Sequence, residues 1–171
     1  CARYVHEDLC SVATPWSFEI PDFVFENNWD EHGTAALGIL VAQDNGYGIT
    51  GIVPHADAAF FPEYTVERGS NRAAAIAEAA AYLEPGDILM LEMQASNITG
   101  GYGPAEIDLS VWMATRAAVD AGIVVVAAAG NGNRDLSAPV FIDWQIMGDS
   151  GAIIVGAGTP DATRDKAPFS S

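Results

Sequence analysis

Two short segments hold residue types and spacings that chemistry can use. In the first, Asp30-Glu31-His32-Gly33-Thr34-Ala35-Ala36-Leu37-Gly38, a histidine opens an apolar stretch and is followed by Gly-Thr. The start of a helix carries partial positive charge, which favours a neutral imidazole. A general base must be neutral before it can take a proton. A histidine that only caps a helix, or is otherwise satisfied, gives the same pattern. In the second, Val124-Val125-Val126-Ala127-Ala128-Ala129-Gly130-Asn131-Gly132-Asn133, an apolar strand ends in small residues and then an asparagine. Ligands of open α/β sheets sit beyond the carboxyl ends of strands. A side-chain amide there can donate to a developing oxyanion. A Gly-Asn turn that merely redirects the chain is the alternative. Gly130-Asn131-Gly132 and Gly156-Ala157-Gly158 each lack the third glycine of a dinucleotide-binding loop.

These segments need elements to position them. Residues 1–31, with Pro15, Trp16, Pro21 and Trp29, read as irregular loops. From His32 onward, Ala35, Ala36, Leu37, Ile39, Leu40 and Val41 predict a helix that is apolar on every face and so buried. It should stop at Asp44-Asn45-Gly46. Short apolar strands then alternate with helices. Strands are expected over residues 56–61, 87–93, 123–128 and 151–156. Helices are expected over residues 70–83, capped by Ser70 or Asn71 and ended by Pro85-Gly86, and over residues 104–121. In the second helix Glu106 and Asp108 favour the positive end. Continuous apolar strands separated by helices imply a parallel sheet covered on both faces.

The chain has 171 residues, a length suited to one domain, and 50% of them are apolar. Seven basic residues against 23 acidic ones give a net charge of −16. Such a chain repels nucleic acid phosphates and anionic membranes. It suits an exported or salt-adapted surface, or cation binding at a few carboxylates. No apolar run approaches the ~20 residues of a membrane span. Cys1 and Cys10 either form a short bridge or stay as thiols, and neither has zinc-ligand spacing. With no initiating Met or signal peptide, and with Ala167-Pro168-Phe169-Ser170-Ser171 at its end, the chain reads as a piece of something longer.

Taken in order, several stretches resemble the subtilase family, the subtilisin-like serine proteases. They are His6-Glu7-Asp8-Leu9, His32-Gly33-Thr34 with Gly38, Gly51-Ile52-Val53-Pro54, the Asp87 strand, Ala128-Ala129-Gly130-Asn131-Gly132, residues 150–157 and Phe169-Ser170-Ser171. The resemblance implies an α/β, three-layer subtilisin-like fold, a mostly parallel sheet with helices on both faces, incomplete at both ends. It implies peptide-bond hydrolysis by a Ser-His-Asp triad, with His32 as general base and Asn131 as oxyanion donor. In subtilisin itself, losing that donor costs about 2.7–4 kcal/mol of barrier. Glu92, Met93, Gln94, Ala128, Ala129 and Gly130 would line a groove that binds substrate as an added strand. The family's Gly-Thr-Ser-x-Ala motif is absent from this sequence, and its aspartate precedes the segment matching His6-Glu7-Asp8-Leu9. Asp8 and Ser170 are therefore not triad members, and this chain alone is expected to be inactive.

The family's Ser-Leu-Gly-Gly stretch reads Glu92-Met93-Gln94-Ala95 here, so either specificity or function has changed. A non-catalytic peptide-binding domain is the second reading, and a Rossmann-like nucleotide binder survives only as a fold analogy. The resemblance further implies a calcium ion held by Asp8, Asn45 and the carbonyls of Gln43, Tyr47 and Ile49, an oxygen-only set. An ordinary Asn-Gly turn is the alternative. The expected partner is a peptide or protein substrate, with no nucleic acid and no membrane. The expected location is extracellular, and self-association is expected through surfaces left by missing segments.

Overall fold

Apolar side chains at every second position of three short segments must face one core when the segments pair in register. In the computed structural model they do. The structure describes residues 6–9, 12–13, 19–96 and 101–171. Cys1, Cys10, Pro15 and Trp16 lie outside the described residues, so the disulfide question does too. The chain divides into two compact units, Cys1–Ala75 and Ile76–Ser171.

In the first unit a 3₁₀ turn at Glu7–Leu9 leads to β1 (Val12–Ala13), then α1 (Asp22–Glu26) and α2 (Trp29–Val41). Strand β2 (Ala58–Ala59) pairs parallel with β1, and β3 (Tyr64–Thr65) pairs antiparallel with β4 (Gly69–Ser70). Two expectations need correction here. Residues 1–31 are not all loop: Val24 of α1 is fully buried, and its amide donates to the Pro21 carbonyl. Helix α2 starts three residues before His32, after Asn28 in a left-handed conformation. It is also not buried all round, since Ile39 is 61% exposed, and it ends at Val41, short of the Asp44 turn. High mean apolarity does not require full burial, because a half-covered helix can carry apolar residues on its open side. The strand expected over residues 56–61 shrinks to Ala58–Ala59.

Helix α3 (Arg72–Tyr82) holds the alanine-rich segment. Of the two expected caps, Asn71 serves: its side-chain oxygen accepts from the Ala74 amide at 3.0 Å.

In the second unit β5 (Ile88–Leu91), β8 (Val124–Ala128) and β9 (Ile153–Val155) form a parallel sheet, as expected for these apolar segments, and the structure gives its order as β5-β8-β9. Between β5 and β8 lie the antiparallel pair β6 (Gln94–Ser96) and β7 (Tyr102–Pro104), then α4 (Leu109–Asp120). A short helix α5 (Ile142–Met147) precedes β9. Leu91, Val125 and Ala127 face a core shared with Ile76, Val111 and Ala118. Full burial of a branched side chain such as Val125 or Ile76 contributes about 1.5–3 kcal/mol. On the opposite face Ile88 (68%), Val124 (41%) and Ile153 (55%) are exposed to solvent.

The helix expected over residues 104–121 is broken. Pro104 belongs to β7, Ala105–Ile107 form a 3₁₀ turn, and α4 begins only after Asp108. The cause is local: Asp108 Oδ1 accepts from the Ser110 amide at 2.8 Å and from its hydroxyl at 2.7 Å, a bond available only to an extended N-cap residue. Asp108→Ala should therefore lower stability by about 1 kcal/mol, read as a shifted urea midpoint with an unchanged slope.

Candidate functional site

The carboxyl end of β8 is held by hydrogen bonds from backbone amides to both main-chain and side-chain acceptors. The Ala129 amide still donates to the Val155 carbonyl, extending the ladder with β9 by one step. The chain then turns at Gly130, whose φ is +91°. A Cβ at Gly130 would sit 2.7 Å from the Gly103 carbonyl oxygen of β7, and one at Gly132 would overlap the Tyr102 carbonyl oxygen. Only glycine allows this approach.

Asn131 lies between these glycines, exposed, with no hydrogen bond to its carboxamide among the described residues. Its backbone amide donates to Gln94 Oε1 at 2.8 Å. The residues after it are held by the end of the chain. The Ser171 hydroxyl accepts from the amides of Gly132 (3.1 Å) and Arg134 (3.3 Å) and donates to the Tyr102 carbonyl (3.0 Å). The Ser171 amide donates to the Gly130 carbonyl, and the Asn133 amide to the Phe169 carbonyl. Lys166 Nζ bonds both Asn133 Oδ1 and the Ser170 carbonyl. Ser170 is buried, and its hydroxyl accepts from the Ala157 amide and donates to the Ser171 carbonyl.

The expected groove residues are distributed unequally. Glu92 is exposed and Gln94 half-buried, while Met93 packs against the core. Ala129 and Gly130 are buried, and Ala128 is half-buried. The structure thus brings Gln94 and Asn131 together directly.

His32 lies in the first unit, exposed, in the first turns of α2. Glu31, Thr34, Ala35 and Gly38, one helix face at i, i+3, i+4 and i+7, line a cavity of about 270 Å³ with His6, Asp8, Leu9 and Ile49. His32 is not among its lining residues.

The expected calcium ligands converge in part. Asp8 is 3% exposed, and its Oδ1 accepts from Asn45 Nδ2 at 2.9 Å. Asn45 Oδ1 accepts from the Tyr47 amide, and the Gln43 amide donates to the Asp8 carbonyl. Gly48 lies so close that a Cβ there would stand 2.5 Å from Asp8 Oδ2. No group of three or more His, Cys, Asp or Glu side chains is poised for a metal among the described residues.

Sequence reasoning missed another buried carboxylate. Glu106, 3% exposed, accepts from Trp144 Nε1 at 3.1 Å and from the Ser150 hydroxyl at 2.7 Å. From sequence alone it reads as a charge at a helix end. Its partners are 38 and 44 residues away, so no local pattern reveals them. On the surface, hydrogen bonds from Thr163 and then Thr159 hold the Asp161 carboxyl below the usual carboxylate range.

An open parallel α/β sheet with an amide donor beyond the carboxyl end of its middle strand is the class of structure these residues define. Residues 10–171 match the Subtilase family, peptidase S8, and the chain belongs to it. It is 28% identical over 129 residues to a "Thermostable alkaline protease" of Halalkalibacterium halodurans, covering 75% of this chain and 33% of that protein. It is 26% identical over 147 residues to "Subtilisin DY" of Bacillus licheniformis, covering 86% and 49%. The fold is that of the solved "Epidermin Leader Peptide Processing Serine Protease (EpiP)" of Staphylococcus aureus, with a TM-score of 0.64 at 17% identity, over 99% of this chain and 46% of that one. The chain thus spans between a third and a half of the length of these relatives. Among the described residues no helix is long and apolar enough to cross a membrane.

Because a side chain at position 132 has no space, Gly132→Ala should destabilise the chain by about 2 kcal/mol or more. Thermal denaturation checks this, and an unchanged midpoint would contradict the close approach to β7.

Proposed function

We propose that the protein containing this chain is a secreted subtilisin-like serine endopeptidase, and that this chain supplies its general base and its oxyanion donor. Asn131 carries the reading. It stands beyond the carboxyl end of the central strand, its backbone is tied down on both sides, and its carboxamide has no partner among the described residues. A donor held in place before the reaction stabilises charge that develops only in the transition state. In this assignment the side-chain amide of Asn131 donates to the oxyanion. His32 takes the proton of the attacking serine and returns it to the leaving amine.

The serine and the aspartate are not assigned to residues of this chain. Ser170 is buried with its hydroxyl occupied, and Asp8 is buried against Asn45. The 171-residue chain alone is accordingly inactive. The full protein should hydrolyse chromogenic peptides and be recovered from the culture medium. Asn131→Ala should lower kcat by about 10²–10³-fold, the loss that subtilisin shows for its own donor. His32→Ala should lower it further. Peptide binding without hydrolysis by the full protein would favour the non-catalytic domain instead, and peptidase activity from the isolated chain would overturn the division of residues.

The same reading gives the Asp8 loop a calcium ion. A buried carboxylate already against a carboxamide, with a loop wrapped closely enough that Gly48 has no room for a side chain, suits an oxygen-ligated cation. Asp8 and Asn45 would supply side-chain oxygens, and Gln43, Tyr47 and Ile49 carbonyl oxygens. The Asn45 amide must turn over to present its oxygen. Bound calcium would tie the turn after α2 to the segment at Asp8. At saturating calcium the melting temperature should rise by about 5 °C relative to chelator. Asp8→Asn should abolish that difference, and no calcium effect in the unsubstituted protein would remove the site.

A further inference from the structure

We propose that Gln94 is a positioning residue for the oxyanion donor, its side-chain oxygen holding the backbone of Asn131 so that the carboxamide leaves the sheet in one orientation. The proposal rests on the peptidase reading above.

The loop after β8 is held from two sides. From one side, the amides of Gly132, Asn133 and Arg134 are taken by Ser171 and Phe169. From the other, the Asn131 amide is taken by Gln94 Oε1 at 2.8 Å, across 37 residues of sequence. This is the bond made by the proposed donor's own backbone, and it comes from β6, whose Gln94 pairs in register with Pro104 of β7. Without it, the ladder to β9 ends at Ala129 and the Asn131 amide has only solvent.

With the amide fixed, the reach of the Asn131 carboxamide is set by two side-chain torsions instead of two torsions plus a mobile peptide. Preorganisation of this kind separates a donor that acts without rearrangement from one that must first be ordered. A glycine at position 94 would leave the amide unpaired. Asparagine, one methylene shorter, would draw the acceptor back from it.

Kinetics of the full protein test this. Gln94→Met keeps the volume and removes the acceptor. It should lower kcat about 10-fold, a fraction of the value of a whole donor, with KM within about 2-fold. Gln94→Glu keeps an acceptor oxygen and should restore most of kcat. In an Asn131→Ala background, Gln94→Met should have no further effect on kcat, because the group it positions is gone. The Asn131 amide should also exchange with solvent at least about 10-fold faster in Gln94→Met than in the unsubstituted protein. If Gln94→Met fails to fold, Gln94→Asn replaces it in each comparison.

An active enzyme whose Gln94→Met variant keeps both kcat and the Asn131 exchange rate overturns the proposal alone. So does an equal loss with and without the Asn131 side chain, which marks Gln94 as merely structural. An unsubstituted full protein that hydrolyses no peptide overturns the peptidase reading, and the proposal falls with it.

Discussion

Parallel pairing of β8 between β5 and β9 is the constraint on which the rest of the second unit depends. Because the three strands run in one direction, the residues that follow β5 and the residues that follow β8 leave the sheet at the same edge. Glu92 to Gln94 and Ala129 to Asn131 meet there for that reason alone. The register is held by the core. Leu91, Val125 and Ala127 are buried, and a shift of one residue would turn each of them to the open face and expose it. Burial of a few small apolar side chains therefore determines where two polar ones, far apart in sequence, come together.

The edge so formed creates a problem that the loop then solves. Where a strand pairing ends, backbone amides lose their partners, and an unpaired amide in a half-buried setting costs about 1–3 kcal/mol. Beyond the last ladder bond at Ala129, the amides of Asn131, Gly132, Asn133 and Arg134 are taken by Gln94, Ser171 and Phe169. The Ser171 hydroxyl is fully used, accepting twice and donating once. Glycine at 130 and 132 lets the loop lie against the backbone of β7, which is close enough for these bonds to form. The loop's amides from Asn131 to Arg134 are satisfied, while the Asn131 side chain is left out of that network.

The sheet was legible because strand signals here are both local and strong. Runs such as Val124-Val125-Val126 are apolar on both sides of the pleat, and such runs belong to parallel sheets. The position of Asn131 beyond a strand end was legible for the same reason, since it directly follows one of them. What could not be read depended on partners distant in sequence. Glu106 looked like a helix-end charge until Trp144 and Ser150 closed around it. Asp108 looked like another, yet its hydrogen bonds to Ser110 break the helix in two. The start of α2 was misplaced because Asn28 begins it through its backbone conformation, with no side-chain cap to mark the position. His32 was singled out by type and spacing, and it lies exposed in α2, three residues further into the helix than expected.

Glutamine at position 94, where subtilases carry glycine, first looks like damage to a groove. A side chain stands where a substrate backbone would approach. The structure gives that side chain an occupation: its oxygen is directed to the Asn131 amide and not left to solvent. Loss of function does not require such a bond, since a groove freed from selection has no physical need to hold one exposed carboxamide in a fixed place. Binding alone does not require it either, because a ligand that gains equally from ground-state and transition-state contacts is held as well by a donor that adjusts on contact. A donor held in advance gives its advantage only when charge appears suddenly and briefly opposite it. Under the assignment proposed above, the Gln94–Asn131 bond lets the altered position 94 serve the oxyanion donor beside it.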